Sequence, residues 1–162
     1  MRKINIIYVG GFKASEKYYR EAMDEYTKRL GAEFAIEKIE IRAEPLPEDP
    51  NQSQIDACLV AEGKKILGRL NANAFKIALC IEGNHLTSER FASLLYGEKA
   101  ESSKSVDFVI GSSHGLCDEV KKTADFLLSL SSLTFSHRLA AVMLSEQLYR
   151  AYSIKTGRKY HK

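Results

Sequence analysis

Short apolar runs and amphipathic segments alternate along the whole chain. Runs rich in β-branched and aromatic residues predict four strands, at 3–9, 34–41, 75–81 and 106–110. Apolar residues that recur every three or four positions predict five helices, at 15–30, 53–70, 87–96, 116–124 and 137–155. This alternation predicts an α/β fold, with a mostly parallel sheet and helices on both faces.

The three prolines all lie in 44–50, which we interpret as a surface loop and not a linker between domains. Neither side of that loop carries enough apolar sequence to fold alone, so we predict one domain over 1–162. In parallel α/β sheets, ligands bind at the carboxyl ends of the strands. The turns after Ile81 and Ile110, and the segment 128–135, are therefore the places to look for a site.

Two of these segments have unusual compositions. The first, Ile110-Gly-Ser-Ser-His-Gly-Leu116, follows a predicted buried strand and precedes a helix, so its N–H groups suit an anion or a nucleoside. It matches neither GxGxxG nor a P-loop, and an ordinary strand–helix turn remains an alternative. The second, Leu128-Ser-Leu-Ser-Ser-Leu-Thr-Phe135, is rich in hydroxyls that suit a flat polar ligand such as adenine, or that bond locally to backbone.

The last predicted helix is apolar on more than one face, which favours burial against a second subunit. Glu146 and Arg150 are spaced as an i,i+4 pair, either on the surface or in a site. The tail after Lys155 combines cations with Tyr160 and His161, which suits RNA phosphates and bases, although a solvated basic end is the commoner meaning of such a tail.

Composition narrows the class of protein. Hydrophobic residues make up 44% of the 162, enough for a core, and the net charge of +3 is too small for a protein that coats nucleic acid indiscriminately. Three cysteines with no CxxC spacing favour free thiols in a reducing compartment and no metal site. The first apolar run is too short for a signal peptide or a membrane span, so we expect a cytoplasmic location.

Taken together, these segments resemble the SPOUT-class methyltransferases, and specifically the rRNA large subunit methyltransferase H family. The resemblance spans nearly the whole chain. Its markers are Val9-Gly10, Glu25-Tyr-Thr-Lys-Arg-Leu30, Leu79-Cys-Ile-Glu-Gly83, Phe108-Val-Ile-Gly111, Gly115-Leu116, Leu128 to Phe135, His137-Arg138, Glu146-Gln-Leu-Tyr-Arg-Ala151 and Tyr160-His-Lys162.

The resemblance implies a trefoil knot near the C-terminal end, a homodimer, and S-adenosylmethionine as the methyl donor. It implies methylation of N3 of a pseudouridine in helix 69 of 23S rRNA, within the assembled 70S ribosome. The implied cofactor contacts are Leu79, Gly111, Leu130, Ser131, Ser132, Leu133, Thr134 and Phe135.

On this hypothesis His137 removes or orients the proton of the target base, and Arg150 stabilises negative charge or binds phosphate. Arg158, Tyr160, His161 and Lys162 then bind rRNA, with the tail reaching the partner's site.

This sequence departs from the family at three points. Ser112 replaces the second glycine of the usual Gly-Gly, Ser136 replaces a proline, where it can cap the last helix, and Gly11 replaces a lysine.

Two other functions stay open. A phosphohydrolase would use the loop 111–115 for anions, but would need acidic metal ligands at strand ends, where only Glu82 is suitably placed. A catalytically silent ribosome-binding module would bind ribosomes without transferring methyl groups.

Overall fold

The computed structural model describes residues 1–31 and 33–161. Its five strands form one sheet in which every neighbouring pair is parallel, in the order β2-β1-β4-β3-β5. The strands are β1 (Arg2–Val9), β2 (Phe34–Ile41), β3 (Ala74–His85), β4 (Ser105–Ile110) and β5 (Phe126–Ser129). The helices are α1 (Lys17–Arg29), α2 (Gln52–Leu67), α3 (Ser88–Leu95), α4 (Glu98–Ser102), α5 (Asp118–Thr123) and α6 (His137–Lys155).

Helices cover both faces of the sheet, which confirms the predicted fold class. On one face, Met23 of α1, Leu95 of α3 and Leu144 of α6 share a core with alternate residues of β1 and β4. On the other face, Ile66 of α2 and Val120 of α5 pack against the intervening strand residues. The central strands β1 and β4 are buried on both sides, as in parallel sheets generally.

Polar residues just before the helices fix three of the helix starts. Asn51 and Gln54 form a reciprocal capping box at the start of α2. Thr87 accepts a hydrogen bond from the Arg90 amide at the start of α3. Ser136 accepts one from the Leu139 amide at 3.3 Å, which confirms the predicted cap of α6.

Several elements differ from the prediction. Strand β3 is longer than the predicted 75–81 and continues to His85, because Asn84 and His85 pair with β5 after a shift in register. Strand β5, which the sequence analysis did not predict, ends at Ser129, and the rest of the Ser-rich segment is irregular loop. The short helix α4 was not predicted.

A buried carboxylate stabilises the amino ends of the central strands. Asp107 is fully buried and accepts hydrogen bonds from the Asn5 amide group at 2.7 Å, the Ser105 hydroxyl at 2.8 Å and the Asn71 backbone at 2.9 Å. These donors satisfy a charge that would otherwise be costly to bury. The cluster is structural, since it lies toward the opposite end of the strands from the site described next. Within 1–31 and 33–161, no helix is long and apolar enough to span a bilayer.

Candidate active site

A cavity of about 300 Å³ lies at the carboxyl ends of β3, β4 and β5. All three segments singled out from the sequence contribute to its walls. Seven of the eight cofactor-binding candidates line it: Leu79, Gly111, Leu130, Ser131, Leu133, Thr134 and Phe135. The eighth, Ser132, is exposed and lies outside the lining.

The loop after β4 folds back on itself at the cavity wall. The Gly115 amide donates to the Ser112 carbonyl at 2.9 Å. A Cβ on Gly111 would lie 2.2 Å from the Gly115 carbonyl oxygen, so no larger residue fits at position 111 without moving backbone. Gly115 itself has φ of +90°, a conformation that favours glycine. The two glycines of this segment are therefore required by the loop itself.

A buried glutamate holds this loop from the other side. Glu62 of α2 is 3% exposed, and its Oε2 accepts a hydrogen bond of 2.8 Å from the Ser112 hydroxyl. Its Oε1 accepts one of 3.0 Å from the Glu44 backbone amide. Ser112, one of the departures from the family pattern, thus connects the cavity loop to α2. Sequence reasoning missed Glu62, because nothing local marks a contact fifty positions away.

The Ser-rich segment both lines the cavity and bonds to itself. The Ser129 hydroxyl donates to the Ser131 carbonyl, and the Ser131 hydroxyl accepts from the Leu133 amide, each at 3.0 Å. The local bonding that the sequence left as an alternative is therefore present, and it shapes the loop that lines the cavity. The Leu133 side chain stays 70% exposed beside this loop.

His137 also lines the cavity, at the first residue of α6. Its Nε2 atom is buried against Gly10 and has no hydrogen-bond partner among the described residues. Burial lowers the pKa of this imidazole, and the neighbouring Arg138 lowers it further. The ring is therefore neutral at pH 7 and able to accept a proton. His114, in the loop after β4, is a second imidazole in the wall.

One ion pair in the cavity wall was not predicted. Lys121 of α5 pairs with Glu82, and both residues line the cavity. The Lys121 hydrogen bond lowers the pKa of the Glu82 carboxyl, and Glu82 in turn raises the pKa of Lys121. Glu82, the carboxylate considered above as a metal ligand, is thus engaged by a cation. In the described part of the chain, His, Cys, Asp and Glu residues form no group of three that would suit a metal ion.

Arg150 and the tail form a separate cluster further along α6. Arg150 contacts Glu146 Oε1 at 2.6 Å and lies over the Tyr160 ring, whose hydroxyl donates to the same oxygen at 3.1 Å. His161 Nε2 lies 2.9 Å from Glu89 Oε1. Along the helix, Arg150 is about 20 Å from His137. A single chain therefore brings His137 and the cofactor candidates together, but not Arg150, Tyr160 or His161.

The remaining two RNA-binding candidates are Arg158 and Lys162. The Arg158 guanidinium, in the exposed segment just after α6, lies over the Tyr152 ring at 4.8 Å. Lys162 lies outside the described residues. Burial and the hydrogen bond to Glu146 raise the pKa of Tyr160 to about 12, so its hydroxyl stays protonated and able to donate.

A parallel α/β sheet with a cavity built by the loops after three adjacent strands defines a ligand-binding domain of the α/β layered class. A solved structure with this fold is a probable methyltransferase from Bordetella pertussis Tohama I. It matches with a TM-score of 0.57 over 93% of this chain and 94% of that one, at 14% identity. That likeness supports the fold alone.

The family model described as predicted SPOUT methyltransferase matches residues 2–161. The chain therefore belongs to the SPOUT methyltransferase family.

Full-length relatives support that membership. Proteins named ribosomal RNA large subunit methyltransferase H are 42% identical in Clostridioides difficile and 45% identical in Caldicellulosiruptor bescii, each over 98% of this chain and 99% of the relative. The protein of that name from Oenococcus oeni is 41% identical over the full length of both chains.

Proposed function

We propose that this protein transfers a methyl group from S-adenosylmethionine to N3 of a pseudouridine in helix 69 of 23S rRNA, within the assembled ribosome. The main support for the proposal is the composition of the cavity wall. Seven residues expected to hold the cofactor line the cavity together with His137. The relatives' name supports rRNA as the substrate.

The residues present fit an adenosyl group. The cavity combines apolar side chains, such as Leu79 and Leu130, with hydroxyls and with the backbone of two irregular loops. Apolar walls suit a flat purine, while free backbone groups and hydroxyls suit its polar edge. When bound, S-adenosylmethionine supplies a methyl group on a positively charged sulfur, already activated for transfer. The protein's own part is then to position the base and manage its proton.

His137 is the candidate proton acceptor or orienting group. The uracil-type N3 carries a proton whose pKa lies well above neutral, so a neutral imidazole next to the reacting atoms assists its loss. The lowered pKa of His137 keeps the ring in that neutral form. His114 lines the same wall and provides a matched control, since it shares the residue type and the cavity.

Arg150, Arg158, Tyr160, His161 and Lys162 enter the proposal as the rRNA-binding end of a second copy. Within one chain Arg150 lies too far along α6 to act on a base beside His137. A homodimer in which each tail reaches the partner's cavity joins the two clusters. The trefoil knot of the family belongs to the same proposal, and the cavity loops after β4 and β5 are where it would lie.

A net charge of only +3 favours a substrate recognised by shape and context over free RNA. We therefore expect strong methylation of 70S particles and weak methylation of naked 23S rRNA. The test supplies labelled S-adenosylmethionine to both substrates and locates the methyl group by mass spectrometry of rRNA fragments. His137→Ala should reduce the single-turnover rate on 70S particles by about 100-fold or more, whereas His114→Ala should retain most of it. Equal rates on the two substrates, or a fully active His137→Ala variant, would contradict the proposal.

A further inference from the structure

The cavity wall contains a charged pair that the proposed methyl transfer does not yet use. Among the described residues that line the cavity, Glu82 is the one carboxylate and Lys121 the one lysine. Glu82 follows the buried part of β3, and Lys121 lies on α5 after the loop 111–117. The pair therefore bridges two of the elements that enclose the ligand space.

The pair retains capacity to bind a ligand. A carboxylate offers about four acceptor positions on its two oxygens, and Lys121 engages Oε1. The Glu82 side chain is 55% exposed and that of Lys121 24% exposed, so the acceptor is accessible while the cation is largely covered. Lys121 also keeps Glu82 ionised, since its hydrogen bond lowers the carboxyl pKa.

The net charge of the pair determines which polar groups of an adenosyl cofactor it can bind. An isolated carboxylate would attract the ammonium or the sulfonium, but a lysine-paired carboxylate has almost no net charge to attract a cation. Its oxygens still accept hydrogen bonds from neutral hydroxyls. A vicinal diol presents two such donors side by side, and in other parallel α/β folds an acidic residue accepts from a ribose hydroxyl of the nucleotide.

We propose that the Glu82 carboxylate accepts hydrogen bonds from the ribose hydroxyls of the adenosyl cofactor, and that Lys121 positions Glu82 for this contact. The inference rests on the proposed function, because it assumes an adenosyl ligand in the cavity. It assigns Glu82 to cofactor binding and Lys121 to a positioning role.

Calorimetry with three ligands tests the assignment: S-adenosylmethionine, 5′-methylthioadenosine, which lacks the amino-acid end, and the 2′-deoxy form of the latter. Each is titrated into the wild-type protein and into Glu82→Gln, Lys121→Met and Glu119→Gln. Glu119 is an exposed carboxylate on the same helix as Lys121 and outside the cavity, so it controls for the lost charge. Thermal unfolding of each variant confirms folding.

Glu82→Gln should weaken both ribose-containing ligands by roughly tenfold and leave the weaker 2′-deoxy ligand nearly unchanged. Lys121→Met should give a smaller loss in the same pattern, and Glu119→Gln none. Loss of affinity for S-adenosylmethionine alone would overturn the ribose assignment in favour of the amino-acid end. Unchanged affinities in Glu82→Gln, with tight wild-type binding, would overturn it as well. Failure of the wild-type protein to bind either natural ligand would instead overturn the proposed function.

Discussion

The Nε2 atom of His137 packs against Gly10, 3.2 Å from the point that a Cβ on Gly10 would occupy. Gly10 directly follows β1 with φ of +84°, and its amide donates to the Ile41 carbonyl at 2.9 Å. One residue further on, the Gly11 carbonyl accepts a hydrogen bond of 3.2 Å from Arg138. The end of β1 and the start of α6 are thus joined at two successive positions, and this junction sets the orientation of the candidate catalytic imidazole.

Substituting Gly10 should disturb both the backbone and the imidazole. A side chain in the left-handed region costs about 1–2 kcal/mol, and the new methyl group would press on His137. Gly10→Ala should therefore lower the free energy of unfolding, measured by urea denaturation, and reduce the methyl-transfer rate. Gly157→Ala is the matched control, because Gly157 has φ of +66° with nothing within 4 Å of an added Cβ. Equal losses of activity in both variants would show that the contact with His137 is unimportant.

His137 should also make stability depend on pH. Its folded pKa lies below the ordinary 6.5, so the unfolded chain binds this proton more readily than the folded one. Above pH 6.5, protonation of His137 does not affect the free energy of unfolding. As the pH falls from 6.5 through the lowered folded pKa of His137, the free energy of unfolding decreases. In His137→Gln, the denaturation midpoint should change less with pH between pH 7 and 5 than in the wild-type protein. The midpoints of both proteins are measured by urea denaturation at each pH. An unchanged slope in His137→Gln would contradict this account.

The contact between Ser112 and Glu62 predicts a third effect. Ser112→Ala removes the donor to Oε2 of a carboxylate that is 3% exposed, which costs about 1–3 kcal/mol of unfolding free energy. The loop it anchors lines the cavity, so affinity for S-adenosylmethionine should fall severalfold by calorimetry. Ser113→Ala, at the exposed neighbouring position, should leave the unfolding free energy unchanged. Identical behaviour of the two alanine variants would mean that the hydrogen bond does not hold the loop.

The sequence predicted the features that local patterns determine. Strand β2 and helix α6 have the predicted bounds, because alternation defines Phe34–Ile41 and the Ser136 cap defines the start of His137–Lys155. The three segments that build the cavity follow from the parallel order of the strands. The bounds of β3 cannot be predicted from the local sequence, because its last residues depend on pairing with β5, which is distant in the chain. The pairs Glu62–Ser112 and Glu82–Lys121 join distant positions and leave no local signal.

The separation of His137 from Arg150 leads to the last prediction. Along α6 the two lie about 20 Å apart, so a site that uses both needs α6 residues of two chains. In the proposed homodimer, His137→Ala and Arg150→Ala should each abolish methylation of 70S particles. Mixing them by denaturation and refolding at equal ratio produces mixed dimers in which one of the two sites is intact. Activity should then recover to roughly a quarter of the wild-type value, because half of the dimers are mixed and each carries one working site.

The affinity for S-adenosylmethionine shows whether Arg150→Ala is inactive for a trivial reason, namely that it no longer binds the cofactor. Arg150 lies outside the cavity lining, so Arg150→Ala should bind the cofactor as tightly as the wild-type protein. Mixing two preparations of His137→Ala, treated in the same way, should recover no activity and serves as the control. If the mixed sample stays inactive while the refolded wild-type protein regains its rate, then Arg150 acts within its own chain. The tail would then bind rRNA from the surface where it now contacts Glu146 and Glu89, and the shared site would be wrong.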